Sequence, residues 1–116
     1  MTIFTKINDW ANERGLLNID WDKNAQASFI AEELSEFLRA KEHNEEVDAL
    51  CDMIVFATNA LRLLGYDPNI AMEETLKEIS SRIGAFNEKT GKWEKFKTPE
   101  AIALWYSANY DNAKIK

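Results

Sequence analysis

The sequence predicts an all-α fold: a four-helix-bundle core followed by a C-terminal loop or hairpin and a short helix. Three observations predict it. Apolar residues recur at helical spacing through the first 83 positions, with almost no strand-like alternation. The chain has only two prolines and four glycines, and several stand where a helix should begin or end. A content of 46% apolar and 29% charged residues is that of a globular chain and excludes a disordered one.

The elements follow in order. Phe4, Ile7, Trp10 and Ala11 form the stripe of a first helix, which Gly15 stops. After the connector LLNIDWD, Asp22 caps a second helix expected over Lys23 to Glu42. The segment EHNE breaks the pattern, leaving His43 in a connector, and a third helix is expected from Glu45 to Leu64, ending at Gly65. Asp67-Pro68 is a cap followed by a first-turn proline and opens a fourth helix to Arg82, with Met72, Leu76, Ile79 and Ile83 on one stripe. The segment GAFNEKTGKWEKFKTP has a turn-like TGK between aromatic residues and reads as a loop or small hairpin. Thr98-Pro99-Glu100 starts a last helix expected through AIALWYSAN. At 116 residues this is one domain, with a core over 1–83 and a lid-like segment over 84–116.

Chemistry enters with the acids. From Glu32 to Asp52 the chain carries eight carboxylates, and its greasiest run overlaps and follows them. They are either a solvated helix face or a cation site. Placed on a wheel at 100° per residue, Glu33 falls inside the apolar arc of the second helix, between Phe29 and Phe37. Glu36 sits at the edge of that arc and Glu32 lies further out. A carboxylate on the core side of a helix is expensive unless it is paired or ligates a metal. On the third helix, apolar nearly all round, Glu45, Asp48, Asp52 and Asn59 fall within about 60° of one another, with Arg62 alongside. If the two acidic strips face each other, like charges crowd, so that some acids stay protonated or a cation binds. Oxygen donors without nearby cysteine or histidine suit Mg²⁺ or Mn²⁺ rather than zinc.

EELSE (Glu32, Glu33, Glu36) followed by EEVDALCD resembles the MazG-like nucleotide pyrophosphohydrolases, whose pattern is EExxE, a gap, then ExxD on two helices of an all-α bundle. WANERGL, Gln26 and GKWEKF…WYSANY are similar to the phage and prophage members. The first half of the pattern matches residue for residue. The second departs from it: Glu45 and Asp48 satisfy ExxD after a gap of only eight residues, whereas a reading anchored on Asp52 puts Ala49 at the Glu position with Asp48 beside it. The resemblance implies hydrolysis of a nucleoside triphosphate between its α and β phosphates, with Mg²⁺ as cofactor and Mn²⁺ as substitute. It implies Glu33, Glu36 and Asp52 as metal ligands, completed by Asp48 or Glu45, and Glu32 as a second-metal ligand or the base that aligns water, with Glu32 and Glu33 nearest the chemistry.

Phosphate charge left over needs cations. Lys89, Lys92, Lys95 and Lys97 cluster in the tail around Trp93 and Phe96, so Lys92, Trp93 and Lys95 are expected to close over the nucleotide, and Asn59 and Arg62 to reach phosphate or sugar. Each feature has a plainer reading. Glu45 and Glu46 are also acids favoured at a helix start, the lysines are also ordinary surface, the four tryptophans are also core or interface residues, and Cys51 is a small core residue.

Several classes are excluded. A net charge of −6 argues against binding a nucleic-acid polymer or an anionic membrane. A di-iron bundle needs Glu-x-x-His pairs, and the only histidine, His43, follows Ala40 at that spacing. Charges interrupt the run from Val47 to Leu64, which makes it a poor membrane span. With one cysteine and no signal-peptide-like start, the expected setting is cytoplasmic. The competing function is a non-catalytic helical binding or regulatory protein that kept the fold. Three neighbours in so short a chain cannot cover a helix apolar around most of its girth, so self-association into a homodimer or homotetramer is expected.

Overall fold

The computed structural model describes all 116 residues. Four helices come first: α1 (Ile3–Glu13), α2 (Lys23–Arg39), α3 (His43–Leu63) and α4 (Pro68–Ser80). A two-stranded antiparallel hairpin follows, β1 (Gly84–Asn87) with β2 (Lys92–Lys95), then α5 (Pro99–Ala103) and a 3-10 turn over Tyr110–Ala113. The all-α expectation, with a C-terminal hairpin and a short helix, holds.

Capping chemistry sets the helix starts. Thr2, Asp22 and Thr98 each accept a backbone N–H three residues on, and Asp67 accepts from Asn69 N at 2.9 Å with Pro68 at the first turn. Gly15 and Gly65 follow the ends of α1 and α3 with φ of 72° and 94°, where other residues are strained. Four boundaries differ from the sequence expectation. α2 stops at Arg39 because Ala40 turns extended, and α4 stops at Ser80. His43 is the first residue of α3 rather than a connector residue, and its Nδ1 lies 2.8 Å from Glu46 Oε1. α5 ends at Ala103, and the chain beyond it is pulled into another role.

That role is a strap. Residues 104–116 run back along α4 to the α3–α4 corner. Glu74, 2% exposed, accepts the Tyr106 hydroxyl and, at 2.8 Å, the Asn109 N–H. Glu78 accepts the Ala108 N–H at 3.1 Å, and Thr75 bonds the Tyr110 hydroxyl at 2.8 Å. At the far end Asp67 N donates to Ala113 O and Ile115 N donates to Gly65 O.

α2 and α3 are antiparallel and face each other along their lengths. Phe29 stacks on Phe56 at one end, with ring centroids 5.4 Å apart, and Glu36 meets Asp48 at the other. α1 crosses the C-terminal half of α3 and the start of α4. There Asn8 Nδ2 donates to Asn59 Oδ1 at 3.2 Å and Asn69 Nδ2 donates to Thr5 Oγ1 at 3.0 Å. α2 touches no element but α3.

One chain therefore leaves its bundle open. Only 12 of 116 residues are buried, and none is a large apolar side chain. The radius of gyration is 17.2 Å, where a compact chain of this length has about 13 Å. Much of the α4 stripe is exposed, with Leu76 at 56% and Ile79 at 55%. Val47, Leu50 and Ile54 are exposed along α3, and Leu34 and Leu38 along α2. Cys51 is also exposed, against the expectation of a core residue, because it stands nearer this open face of α3 than the seam with α2. No helix is long and apolar enough to cross a membrane.

The hairpin packs against none of the helices and is held by its own register and by Lys95 over the Trp105 ring. An added Cβ at Gly84 would fall on the Glu94 carbonyl and the Trp93 ring and lie 2.8 Å from Lys95 Cα. Gly84→Ala is therefore expected to cost the hairpin about 1–3 kcal/mol. Amide hydrogen exchange should show protection lost over Gly84–Lys95 and kept in α1 to α4; unchanged protection of the hairpin would contradict this.

Candidate active site in the α2–α3 seam

The seam brings the two acidic strips together. Glu33 faces α3 and is 9% exposed, while Glu32 and Glu36 lie at the solvent edge. Its Oε2 is buried without a hydrogen-bond partner. Burial and a hydrogen bond to the Glu36 carboxyl, then repulsion from Glu36, Asp52 and Glu32, push the Glu33 carboxyl up to about 7. Asp52, one turn beyond Asp48 on α3, is also raised, first by burial and then by the charges of Asp48 and Glu36. The wheel's placement of Glu33 inside the apolar arc is thus what the fold adopts. The price of seating it there appears as a carboxyl that resists ionisation.

Two openings lie at or beside this seam. One cavity of about 380 Å³ is lined by Glu36, Arg39, Ala40, Glu45 and Asp48. A cleft of about 320 Å³ on the α1 side is lined by Lys6, Ile7, Trp10, Asp52 and Val55. Glu45 reaches the first cavity but its Oε2 also accepts the Lys41 N–H at 3.4 Å, so it ties down the α2–α3 connector as a helix-start acid does. Ala49 is buried, which leaves Asp48 and Asp52 as the α3 carboxylates free to face the seam.

The other sequence candidates are dispersed. Asn59 is buried and engaged with Asn8. Arg62 is exposed about 15 Å beyond Asp52 along α3, where it lines pockets with Asn8 and Asp9. Lys92 and Trp93 are exposed on β2, and within one chain β2 meets neither α2 nor α3. Lys95 Nζ lies 4.7 Å from the Trp105 ring centroid, with Arg82 Cζ 5.0 Å from the same ring, so both cations are held by the strap.

Three residues at the site escaped the sequence reading. Arg39 falls on the same edge of the α2 wheel as Glu32 and Glu36, so its position was readable. Lys6 and Trp10 were not, because only the crossing of α1 over α3 sets them beside Asp52. No three acidic, histidine or cysteine side chains converge as a ready-made ion cage. The donor set still fits a hard divalent cation: every donor is a carboxylate oxygen, one of them buried and unpartnered, and their mutual repulsion is what a cation relieves.

Comparison with curated proteins and with solved structures returned no match. The family model described as phosphoribosyl-ATP pyrophosphohydrolase matches residues 18–81, more than half the chain and the whole of α2, α3 and α4. On that match, with its two acidic helices seated face to face, the chain belongs to the phosphoribosyl-ATP pyrophosphohydrolase family of MazG-like nucleotide pyrophosphohydrolases, enzymes that hydrolyse acid anhydrides.

Proposed function

We propose that this protein hydrolyses a nucleoside triphosphate between the α and β phosphates, releasing monophosphate and pyrophosphate, with Mg²⁺ as cofactor and Mn²⁺ able to replace it. The observation that carries the reading is Glu33: a buried carboxylate with an unpartnered oxygen, crowded by Glu32, Glu36 and Asp52. A fold retains such a group for ligation more readily than for stability, since an unpaired buried charge weakens the fold. Glu33, Glu36, Asp48 and Asp52 would hold the metal, with Glu45 at the margin. When bound, the ion neutralises phosphate oxygens and lowers the pKa of a coordinated water.

The remaining work falls to the chain. Glu32, exposed beside Glu33, would bind a second metal or orient the attacking water and take its proton, the latter a role that contributes roughly 10²–10⁴-fold. Arg39 offers a cation on the wall of the Glu36–Asp48 cavity. Asn59 and Arg62 lie further along α3, where Arg62 would reach sugar or phosphate and Asn59 would have to leave Asn8 to do so. Lys92, Trp93 and Lys95 belong to a segment over 84–116 read as closing on nucleotide. Because the hairpin stands clear of its own chain's seam, it would serve the site of a second copy. The exposed stripes of α2, α3 and α4 support a homodimer or homotetramer, in which those faces complete the bundle.

Phosphoribosyl-ATP, the compound in the family's name, contains the same α–β anhydride and belongs in the test. All ribo- and deoxynucleoside triphosphates and phosphoribosyl-ATP are incubated with Mg²⁺, and pyrophosphate is read directly. At least one should yield pyrophosphate and monophosphate in equal amounts, with activity lost on chelation. Release of inorganic phosphate alone, or no turnover of any substrate, sinks the reading and favours a binding protein.

A further inference from the structure

We propose that the cleft between α1 and α3 beside Asp52 seats the nucleoside end of the substrate, with Trp10 taking the base by stacking and Lys6 binding the phosphate chain; this rests on the function proposed above. The cleft borders the acidic seam, because Asp52 is a wall of it and also one of the carboxylates that crowd Glu33. A nucleotide whose phosphates lie at the seam can therefore place its base here without leaving the protein surface. The other walls have the composition of a base pocket: the faces of Ile7 and Val55, a large aromatic ring and one cation.

Trp10 is 42% exposed although it lies on the stripe that buries Ala11. Its ring already attracts a planar group, since Arg14 Cζ lies 5.1 Å from the ring centroid. Lys6 makes no ion pair anywhere in the chain; it is the one cation lining this cleft, as Arg39 is the one lining the Glu36–Asp48 cavity. Trp93, the aromatic residue that the sequence favours for stacking, stands on a hairpin clear of this seam.

A second copy of the chain is the rival occupant, and charge argues against it. An unpaired lysine and a carboxylate as walls suit an anionic ligand with a cation better than a dry subunit interface. The apolar residues that call for a partner on α3, Val47, Leu50 and Ile54, lie on the opposite side of that helix from Asp48 and Asp52.

The test uses the intact protein with Mg²⁺ and inorganic tripolyphosphate as a nucleoside-free competitor. Trp10→Leu should raise KM for the preferred nucleotide by about tenfold or more, the scale of one base–aromatic stack, and leave the Ki of tripolyphosphate within about twofold. Trp10→Phe should stay within about threefold of the wild type in KM. Lys6→Gln should weaken nucleotide and tripolyphosphate alike, by about tenfold. If no nucleotide is turned over, the proposed function fails by itself, and the cleft is judged by calorimetry with nucleoside monophosphates, where Trp10→Leu should weaken binding by the same factor. Wild-type KM or Kd in Trp10→Leu overturns the proposal, as does a change that tracks subunit dissociation on a sizing column. Should Trp10→Leu fail to fold, wild-type nucleotide and tripolyphosphate binding in Lys6→Gln overturns it equally.

Discussion

Glu33→Gln is expected to abolish turnover and to stabilise the metal-free fold at the same time. On the proposed function, pyrophosphate release should fall by at least about 10²-fold, because the variant would remove a central metal ligand. The stability change follows from the raised carboxyl. Its ordinary value is 4.5 and the fold pushes it to about 7, first by burial and then through Glu36 and its other acidic neighbours. Between those values the folded protein holds a proton that the unfolded chain has lost. Wild-type stability therefore declines as pH rises from 4.5 through 7, and the full penalty is present above 7. Glutamine carries no charge, and its amide can donate to the Glu36 carboxylate. In chelator, the Tm of the variant should exceed that of the wild type at pH 8, and the difference should vanish below pH 4.5. Mg²⁺ should raise the wild-type Tm at pH 8 and do little for the variant. A variant that keeps wild-type turnover, or that melts below wild type at pH 8, would remove Glu33 from the centre of the site.

The opposite sign is expected at the other buried acid. Glu74→Ala should lower Tm by on the order of 10 °C, since it breaks a buried hydrogen-bond network rather than relieving a repulsion. The Tyr106 hydroxyl, then the Asn109 N–H, hold the Glu74 carboxyl well below its ordinary range, at about 2, and Lys77 Nζ adds a partner at 3.3 Å. Because the folded value is depressed, this contribution is fully present above pH 4.5 and is lost as pH falls toward 2. Residues 104–116 should then leave α4, as in the variant at neutral pH. Limited proteolysis reads this directly: cleavage near Tyr106 should rise sharply in Glu74→Ala and only mildly in Tyr106→Phe, which removes a single donor. Equal resistance of wild type and Glu74→Ala would show that the strap is held by other contacts. Glu33 and Glu74 are both nearly buried, yet Glu33 has one oxygen without a partner and shares a hydrogen bond only with another acid, whereas Glu74 accepts from two or more donors. On the proposed function, that contrast is the one expected between a carboxylate kept for ligation and one kept for structure.

Most of the fold was legible in the sequence because the signals are local. Side chains one to three residues away cap α1, α2, α4 and α5, and Gly15 and Gly65 close α1 and α3 with positive φ. The inward phase of Glu33 is a property of helical geometry, so the wheel found it without knowing the neighbour. The errors lie where a long-range partner overrode a local signal. α5 stops at Ala103 although helix formers continue, because the following residues bond to Glu74 and Glu78 instead. The apolar stripe of α4 is real, but a single chain supplies nothing to cover Leu76 and Ile79.

What the sequence determined by itself is thus the helical class, the helix starts and which carboxylates on each helix share a face, since these depend on residues within a turn or two of each other. Only the tertiary structure decided that the two acidic faces meet, that α1 sets Lys6 and Trp10 at Asp52, and that the tail binds α4. Those pairings join residues tens of positions apart, and their energies come from burial and hydrogen bonds that exist only once the helices have packed.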